Sequence, residues 1–323
     1  VHELNKNPNH HLNRAVEEKF EIDYLSGRKI SSNQSINGPV KSQKTIDSTP
    51  APELPLKVRI AQHITENGPI TFAEFFQRAL YTPKQGYYVS NAVDIHNDSV
   101  GEQEYKDGRT FPTDSQKPAV GRALARQLVQ LWTKLNQPEV FHVVEMGAGV
   151  GMLAVNILNT IREENAGLYQ AARYIIVEIS PALIEKQKLN VKQADHQNII
   201  WLNASAFNLP LAGDSITGAV ISNELIDAFP VHRVVVQGGE TREIFIGFDP
   251  MKNRFIEQAG NVSTQKINEY FDIVGKLPPE GKEFAVNLKM LIWQNELYRV
   301  LRQGLVISAD YGFKKTEHLL TLT

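Results

Sequence analysis

A glycine-rich run directly after an apolar stretch constrains the fold of this chain more than any other feature of its sequence. Residues 140–146 have the composition of a buried strand, and Glu145-Met146-Gly147-Ala148-Gly149-Val150-Gly151 spans its end. Alternate glycines permit a sharp turn and a close approach of the backbone to a ligand, because glycine has no Cβ atom. The apolar spacing that follows, through Leu158, is typical of a helix. The run therefore predicts a strand, a ligand-binding turn and a helix in succession.

Further strands and helices alternate toward the C-terminus. The strands predicted after the glycine run are 174–179, 199–202, 219–222, 233–236, 243–248 and 305–309. This alternation indicates an α/β fold whose mostly parallel sheet has helices on both faces. Ligands of such sheets bind beyond the carboxyl ends of the strands.

Composition divides the chain into three regions. Residues 1–56 are polar and rich in Asn, Ser, Lys and Pro, which predicts a flexible leader. Residues 57–135 have helical apolar spacing, and Thr71 with Glu74 forms a capping box at the start of one helix. Residues 136–323 hold the alternating strands and helices, with an insertion expected at about 237–283.

Charge and composition exclude several classes of partner. The 323 residues carry a net charge of −2, without the basic surplus typical of nucleic-acid binding, so we expect no nucleic-acid partner. No apolar run approaches the ~20 residues of a membrane span, so we expect no membrane partner. Cysteine is absent, which excludes disulfides, thiolate zinc sites and cysteine nucleophiles and suits a cytoplasmic location. We also predict no metal site.

Two acids at successive strand ends indicate which ligand the glycines bind. Glu145 ends the first strand, where it can meet the methionine part of S-adenosylmethionine indirectly. Glu178 ends the next strand, where its carboxylate can accept hydrogen bonds from both ribose hydroxyls. We therefore predict S-adenosylmethionine as the cofactor, with a nicotinamide oxidoreductase as the weakest alternative. The residues predicted to hold the cofactor are Glu145, Gly147, Ala148, Gly149, Gly151, Glu178, Ile179, Asn203 and Asn223.

A second polar motif, residues 222–233, follows a later strand and holds the candidate catalytic residues Glu224, Asp227 and His232. Glu224 and Asp227 are spaced to share one face of a short helix that Pro230 terminates. His232 follows closely enough to fold back toward these carboxylates. A carboxylate paired with an imidazole is a general-base arrangement.

Asp310 and Tyr311 follow the last predicted strand. A pair of this kind can line a substrate pocket at the sheet edge, or it can lie in a solvated turn. We place both residues, together with Tyr88, in the candidate substrate pocket.

Together these motifs resemble those of the MidA-like methyltransferases, over about Val58 to Phe313. The resemblance rests on Gly68-Pro69-Ile70, Phe72-Ala73-Glu74, Gly86-Tyr87-Tyr88, residues 144–149, 177–181 and 223–232, and Asp310-Tyr311-Gly312. It implies a Rossmann-like class I methyltransferase fold with an N-terminal helical lid, and a cofactor held by Gly147, Gly149, Glu178 and the Asn223 region. Members of this family include an arginine-methylating assembly factor of mitochondrial complex I and O-methyltransferase domains of modular polyketide synthases.

Two departures from the free-standing members favour the synthase domain. The first is that residues 108–115 differ from the Gly-Asp-Phe-x-Thr type of segment that the free-standing members carry. The second is that the chain has a polar leader and ends soon after Gly312. We therefore expect O-methylation of a β-hydroxyl on an acyl chain bound to an acyl carrier protein, with His232 as the general base. One alternative is an arginine N-methyltransferase of respiratory complex assembly, in which Glu224 and Asp227 bind the guanidinium. The other is a cofactor-binding assembly module without catalysis.

Overall fold

The computed structural model describes residues 2–3, 53–90 and 117–311. In chain order the elements are β1 (His2–Glu3), α1 (Leu56–Asn67), β2 (Ile70–Thr71), α2 (Phe72–Tyr81), α3 (Pro118–Lys134), β3 (Phe141–Met146), α4 (Met152–Glu164), α5 (Ala166–Ala171), β4 (Ala172–Glu178), α6 (Pro181–Gln193), β5 (Ile199–Asn203), β6 (Ile216–Asn223), β7 (His232–Gln237), β8 (Glu240–Asp249), β9 (Arg254–Asn261), α7 (Lys266–Val274), β10 (Glu283–Val286), α8 (Leu288–Val300) and β11 (Leu301–Ala309). Most of the expected leader, residues 108–115 and everything after Tyr311 lie outside the described residues. No helix within the described ranges is long and apolar enough to cross a membrane.

Within the described residues the larger sheet has six strands in the order β1-β11-β6-β3-β4-β5, and every neighbouring pair is parallel except β1 and β11. Met146 at the end of β3 is level with Val177 of β4 and Ser222 of β6. Because these ends coincide, the residues that follow the three strands share one edge of the sheet. The predicted α/β class with a mostly parallel sheet is confirmed.

Helices cover both faces of the larger sheet. Val143 of β3 belongs to one buried cluster with Leu128 of α3 and Leu158 of α4. Its neighbour Val144 belongs to the opposite cluster, with Trp293 of α8. Successive residues of a strand face opposite sides of a sheet. The burial of both Val143 and Val144 therefore means that both faces of β3 are covered.

Two predicted strands, 233–236 and 243–248, lie outside the parallel sheet. They form the cores of β7 and β8, an antiparallel hairpin in a second sheet of order β10-β7-β8-β2, with β9 paired to β8. Gly238 and Gly239 make the turn with φ angles of 62° and 77°, the conformation that a two-residue hairpin turn requires. A connection this short has no room for the crossover helix that a parallel pair needs. Strands β7 to β10 thus come from residues 232–286, a range that contains the insertion expected at about 237–283.

Helices α1 and α2 pack with the second sheet. Ile64 of α1 belongs to a buried cluster with Ile70 of β2 and Ile246 of β8. Strand β2 also pairs directly with β8. The N–H of Glu74 donates to Thr71 Oγ1 over 3.1 Å, which confirms the expected start of α2. The N-terminal helices and the inserted sheet therefore form one packed layer.

Candidate functional site

A turn of three glycines joins β3 to α4 at the carboxyl edge of the larger sheet. Gly147, Gly149 and Gly151 have φ angles of 69°, 56° and 84°, which residues with a Cβ atom rarely adopt. A Cβ atom on Gly147 would lie 3.1 Å from Leu225 Cδ1, and one on Gly151 would lie 3.3 Å from Gln187. Larger side chains therefore meet both a conformational and a steric penalty in this turn.

Glu145 and Glu178 are buried at the ends of neighbouring strands, with 3% and 4% of their surface exposed. The Tyr174 hydroxyl donates to Glu145 Oε2 over 2.7 Å. The Ser180 N–H donates to Glu178 Oε1 over 2.9 Å, and Gln187 Nε2 donates to Oε2 over 3.3 Å. Burial raises the pKa of both carboxyl groups to about 7, because a low-dielectric setting disfavours the charged form.

These two acids and the glycine turn line a cavity over the strand ends. Its walls also include residues 204–207 after β5, Asn223 at the end of β6 with Glu224 after it, and Tyr81 and Tyr88 from the N-terminal region. The Tyr81 hydroxyl donates to the carbonyl oxygen of Ala228 over 2.6 Å. That bond joins the N-terminal layer to the segment after β6, so the cavity is enclosed by both layers.

Most of the residues predicted to hold the cofactor line this cavity. They are Glu145, Gly147, Ala148, Gly149, Glu178, Ile179 and Asn223. Gly151 and Asn203 are not among the described lining residues. Gly151 caps α4, and Asn203 Nδ2 donates to the carbonyl oxygens of Glu178 and Ile179 over 2.9 Å and 3.1 Å. Asn203 therefore fixes the end of β4.

Gln187 was not among the predicted site residues, although it connects the glycine turn with Glu178. Its Nε2 donates to the carbonyl oxygen of Gly149 over 2.9 Å as well as to Glu178. Its Oε1 is buried and has no hydrogen-bond partner among the described residues. The sequence carries a signal for it, since Gln187 lies at helical spacing between the buried Ile184 and Val191. A buried polar side chain in an apolar helix face needs partners, and Gly149 and Glu178 are the partners of Nε2.

These features fit S-adenosylmethionine. The glycine turn allows close backbone approach, and Glu178 keeps acceptor capacity for the two ribose hydroxyls. The remaining wall is largely apolar, with Ile179 and Phe207 available to an adenine ring.

Three carboxylates lie near Tyr88 at one end of the cavity. Burial, together with the negative charges of Asp227, Glu224 and Asp310, raises the pKa of Tyr88 to about 12. Burial and Asp310 also raise the pKa of Asp227 above its usual value. Of the predicted substrate-pocket residues, Tyr88 lines the cavity, whereas Asp310 and Tyr311 are not among its described lining residues. Tyr311 is 77% exposed.

The segment from Glu224 to Pro230 is an irregular turn and not the short helix that was expected. Glu224 has a φ of 48°, outside the right-handed helical region. Asp310 Oδ2 accepts the N–H of Ile226 over 2.7 Å and that of Asp227 over 3.4 Å. By accepting these two N–H groups, Asp310 stabilises the turn.

His232 was expected to pair with Glu224 or Asp227, but it pairs with Glu243 instead. Its Nδ1 lies 2.7 Å from Glu243 Oε1, and the Ser263 N–H donates to Glu243 Oε2 over 2.6 Å. Burial acts to raise the pKa of Glu243, but these hydrogen bonds hold it below its usual value. The reason is the hairpin, in which Glu243 lies opposite Val234 and so shares a face with His232. The imidazole is not among the described residues that line the cavity.

Comparison with known proteins identifies similar chains. A family model described as "Putative S-adenosyl-L-methionine-dependent methyltransferase" matches residues 123–323, more than half of the chain. The rat protein named "Protein arginine methyltransferase NDUFAF7, mitochondrial" is 29% identical over 220 residues, or 62% of this chain and 48% of the relative. The human protein of that name is 25% identical over 287 residues, or 82% of this chain and 61% of the relative. The chain spans about half the length of the curated relatives it matches.

A solved structure shares the fold. The crystal structure of a Burkholderia thailandensis protein bound to S-adenosyl-homocysteine matches with a TM-score of 0.66 at 24% identity. The match covers 80% of this chain and 62% of that one. This likeness supports the Rossmann-like class I arrangement.

The prediction of an O-methyltransferase domain of a polyketide synthase is wrong. The relatives are named protein arginine methyltransferases, which fits the alternative that the same residues left open. Their names say nothing of a carrier-bound substrate, and the acyl carrier protein stays an untested prediction. The same names place the relatives in mitochondria, so the expected cytoplasmic location is not confirmed.

Proposed function

Because the chain belongs to the family of S-adenosyl-L-methionine-dependent methyltransferases, we propose that it methylates the guanidinium group of arginine in a protein substrate. Its cofactor is S-adenosylmethionine. The observation that carries the proposal is the group of carboxylates, Glu224, Asp227 and Asp310, near Tyr88 beside the cofactor cavity. The names of the relatives support the same acceptor.

The charge of these carboxylates suits a guanidinium better than a hydroxyl. A guanidinium group stays protonated in proteins, so it needs anionic groups that compensate its charge and accept its N–H donors. Glu224 lines the cavity, and Asp227 lies in the same turn. A hydroxyl acceptor needs a general base but no such concentration of negative charge.

The residues that would hold the cofactor are those of the glycine turn and the two strand-end acids. The backbone at Gly147 and Gly149 allows close approach of the ligand. Glu178 would accept the ribose hydroxyls, and Glu145 lies beside the glycine turn. When bound, S-adenosylmethionine supplies an electrophilic methyl group on its sulfonium centre.

In the transfer, Glu224 and Asp227 accept hydrogen bonds from the guanidinium and orient one of its nitrogens toward the cavity. That nitrogen loses one proton as it gains the methyl group, and Glu224 is the lining carboxylate that would take the proton. Tyr81 and Tyr88 cover this side of the cavity, with ring centroids 5.7 Å apart. Their rings limit the access of water to the reacting atoms.

A peptide panel tests the acceptor. Four peptides of otherwise identical sequence would carry arginine, citrulline, lysine or serine at one position, and transfer of labelled methyl from S-adenosylmethionine would be measured. We expect label on the arginine peptide alone, because citrulline has the shape of arginine without its charge and lysine lacks the planar donors. Equal transfer to citrulline, or transfer to serine alone, would contradict the proposal.

A further inference from the structure

One peptide group in the turn after β6 is bonded from outside the turn at both of its polar ends. It joins Ile226 to Asp227, and its carbonyl oxygen accepts a hydrogen bond from Asn287 Nδ2 over 3.2 Å. The same oxygen accepts the Phe229 N–H over 3.1 Å, a bond within the turn. The N–H of the group donates to Asp310 Oδ2 over 3.4 Å. Because a peptide group is planar and rigid, these bonds fix the direction in which the chain enters Asp227.

Other bonds hold the two ends of this turn. The Glu224 N–H donates to the carbonyl oxygen of Ala309 over 2.8 Å, which keeps the start of the turn beside β11. The Tyr81 hydroxyl donates to the carbonyl oxygen of Ala228 over 2.6 Å. In the middle of the turn, the direction of Asp227 therefore depends on the bonds to the peptide group that precedes it.

Asn287 is itself fixed where its amide reaches the turn. It directly follows Val286, the last residue of β10, which pairs with His232 at the start of β7. Its Oδ1 accepts the Met290 N–H over 2.9 Å and so caps α8. A side-chain amide has its acceptor and its donors on one rigid plane, so the cap also orients Nδ2 toward the Ile226 oxygen.

We propose that Asn287 is a positioning residue of the methyl acceptor site. Its amide nitrogen holds the peptide group between Ile226 and Asp227 and thereby directs the Asp227 carboxylate toward the acceptor. The inference rests on the proposed function, in which Asp227 accepts hydrogen bonds from the guanidinium. A neutral amide suits this position, because a cationic side chain there would compensate the negative charge that a guanidinium requires.

Two exchanges at Asn287 separate positioning from capping. Asn287→Asp and Asn287→Ser both keep an oxygen that can cap α8, since Asn, Asp and Ser are comparable helix caps. Neither keeps the donor to Ile226, because a carboxylate has no N–H and the serine hydroxyl stops one bond short of Nδ2. A residue that only capped the helix would tolerate both exchanges.

We expect both variants to lower kcat/KM for the arginine peptide about 3–10-fold, the effect of one lost hydrogen bond. Asn287→Asp should give the larger loss, because its carboxylate repels the Ile226 oxygen. The dissociation constant of S-adenosylhomocysteine, measured by calorimetry, should stay within about twofold of wild type, because the residues of the glycine turn are unchanged. The matched control is Asn165→Asp, since Asn165 Oδ1 caps α5 by accepting the Leu168 N–H over 2.9 Å. This variant should keep the wild-type kcat/KM.

Hydrogen exchange without any substrate gives a second readout that does not depend on the acceptor. The amides of residues 224–229 should exchange about 3–10-fold faster in Asn287→Ser than in wild type. Those of Leu288–Val300 in α8 should keep their rates, because the cap is retained. Wild-type kcat/KM in both Asn287 variants, or unchanged exchange of residues 224–229, would overturn the proposal. A wild-type protein that did not methylate the arginine peptide would contradict the proposed function, whereas the exchange rates would still decide whether Asn287 holds the turn.

Discussion

Glu224→Gln and Asp227→Asn should each lower the turnover of an arginine peptide by about 10²–10⁴-fold at saturating cofactor. Each exchange removes one negative charge but preserves the size of the side chain. The guanidinium then loses a charge-compensating partner, and Glu224→Gln also removes the lining carboxylate that would take its proton. Steady-state rates with a labelled methyl donor would measure the loss.

The control for these two variants is Asp272→Asn, on the exposed surface of α7. It makes the same chemical change away from the cavity and should leave turnover within about twofold of wild type, since isolated surface charges have small effects. If Glu224→Gln and Asp227→Asn matched this control, the carboxylates would have no role in binding the acceptor.

Gly147→Val should weaken cofactor binding by about 10–10²-fold, because forcing a larger side chain into a filled space costs about 1–3 kcal/mol. Gly147 has a φ of 69°, and a Cβ atom there would lie 3.1 Å from Leu225 Cδ1. A branched side chain must therefore push into Leu225 or into the cavity that both residues line. Calorimetric titration with S-adenosylhomocysteine would measure the affinity, and a thermal melt would show whether the variant is folded.

Gly238→Val is the matched control for this substitution. Gly238 has a similar φ of 62° in the β7–β8 turn, where an added Cβ atom would have nothing within 4 Å. Both variants carry the backbone strain of a branched residue in the left-handed region, about 1–2 kcal/mol. Only Gly147 lies at the cavity, so Gly238→Val should keep the wild-type affinity. A Gly147 variant that is folded and binds as tightly as Gly238→Val would contradict the placement of the cofactor at the glycine turn.

The parts of the site that could be predicted from sequence are those fixed by short segments. The glycine turn is specified within seven residues, and Glu145 and Glu178 are located by the ends of apolar strands. In a parallel sheet these ends fall on one edge whatever the details of packing, which is why both acids line the same cavity.

The parts that could not be predicted depend on contacts between distant segments. The pairing of His232 with Glu243 follows from the register of a hairpin, and nothing near His232 in sequence specifies that register. Similarly, the turn after β6 is held by Asp310, more than eighty residues further along the chain. A helical spacing of Glu224 and Asp227 was therefore a poor guide to their conformation.

The acceptor could not be decided from the residues either, because Glu224 and Asp227 suit a guanidinium and were also considered as partners of a catalytic imidazole. Features at the two ends of the chain favoured the hydroxyl, and the named relatives overturn that choice. His232 contacts Glu243 in the second sheet and is not among the described residues that line the cavity.

Hydrogen exchange of the protein with and without saturating S-adenosylhomocysteine tests the central claim most directly, because it locates the ligand on the backbone. Peptides covering residues 147–152, 178–183 and 223–229 contain the glycine turn and the segments after β4 and β6 that line the cavity. We expect their amides to exchange more slowly when the ligand is bound, while those of Arg254–Asn261 in β9 keep their rates. Protection confined to the second sheet, with unchanged exchange in the glycine turn at saturation, would contradict the location of the cofactor site.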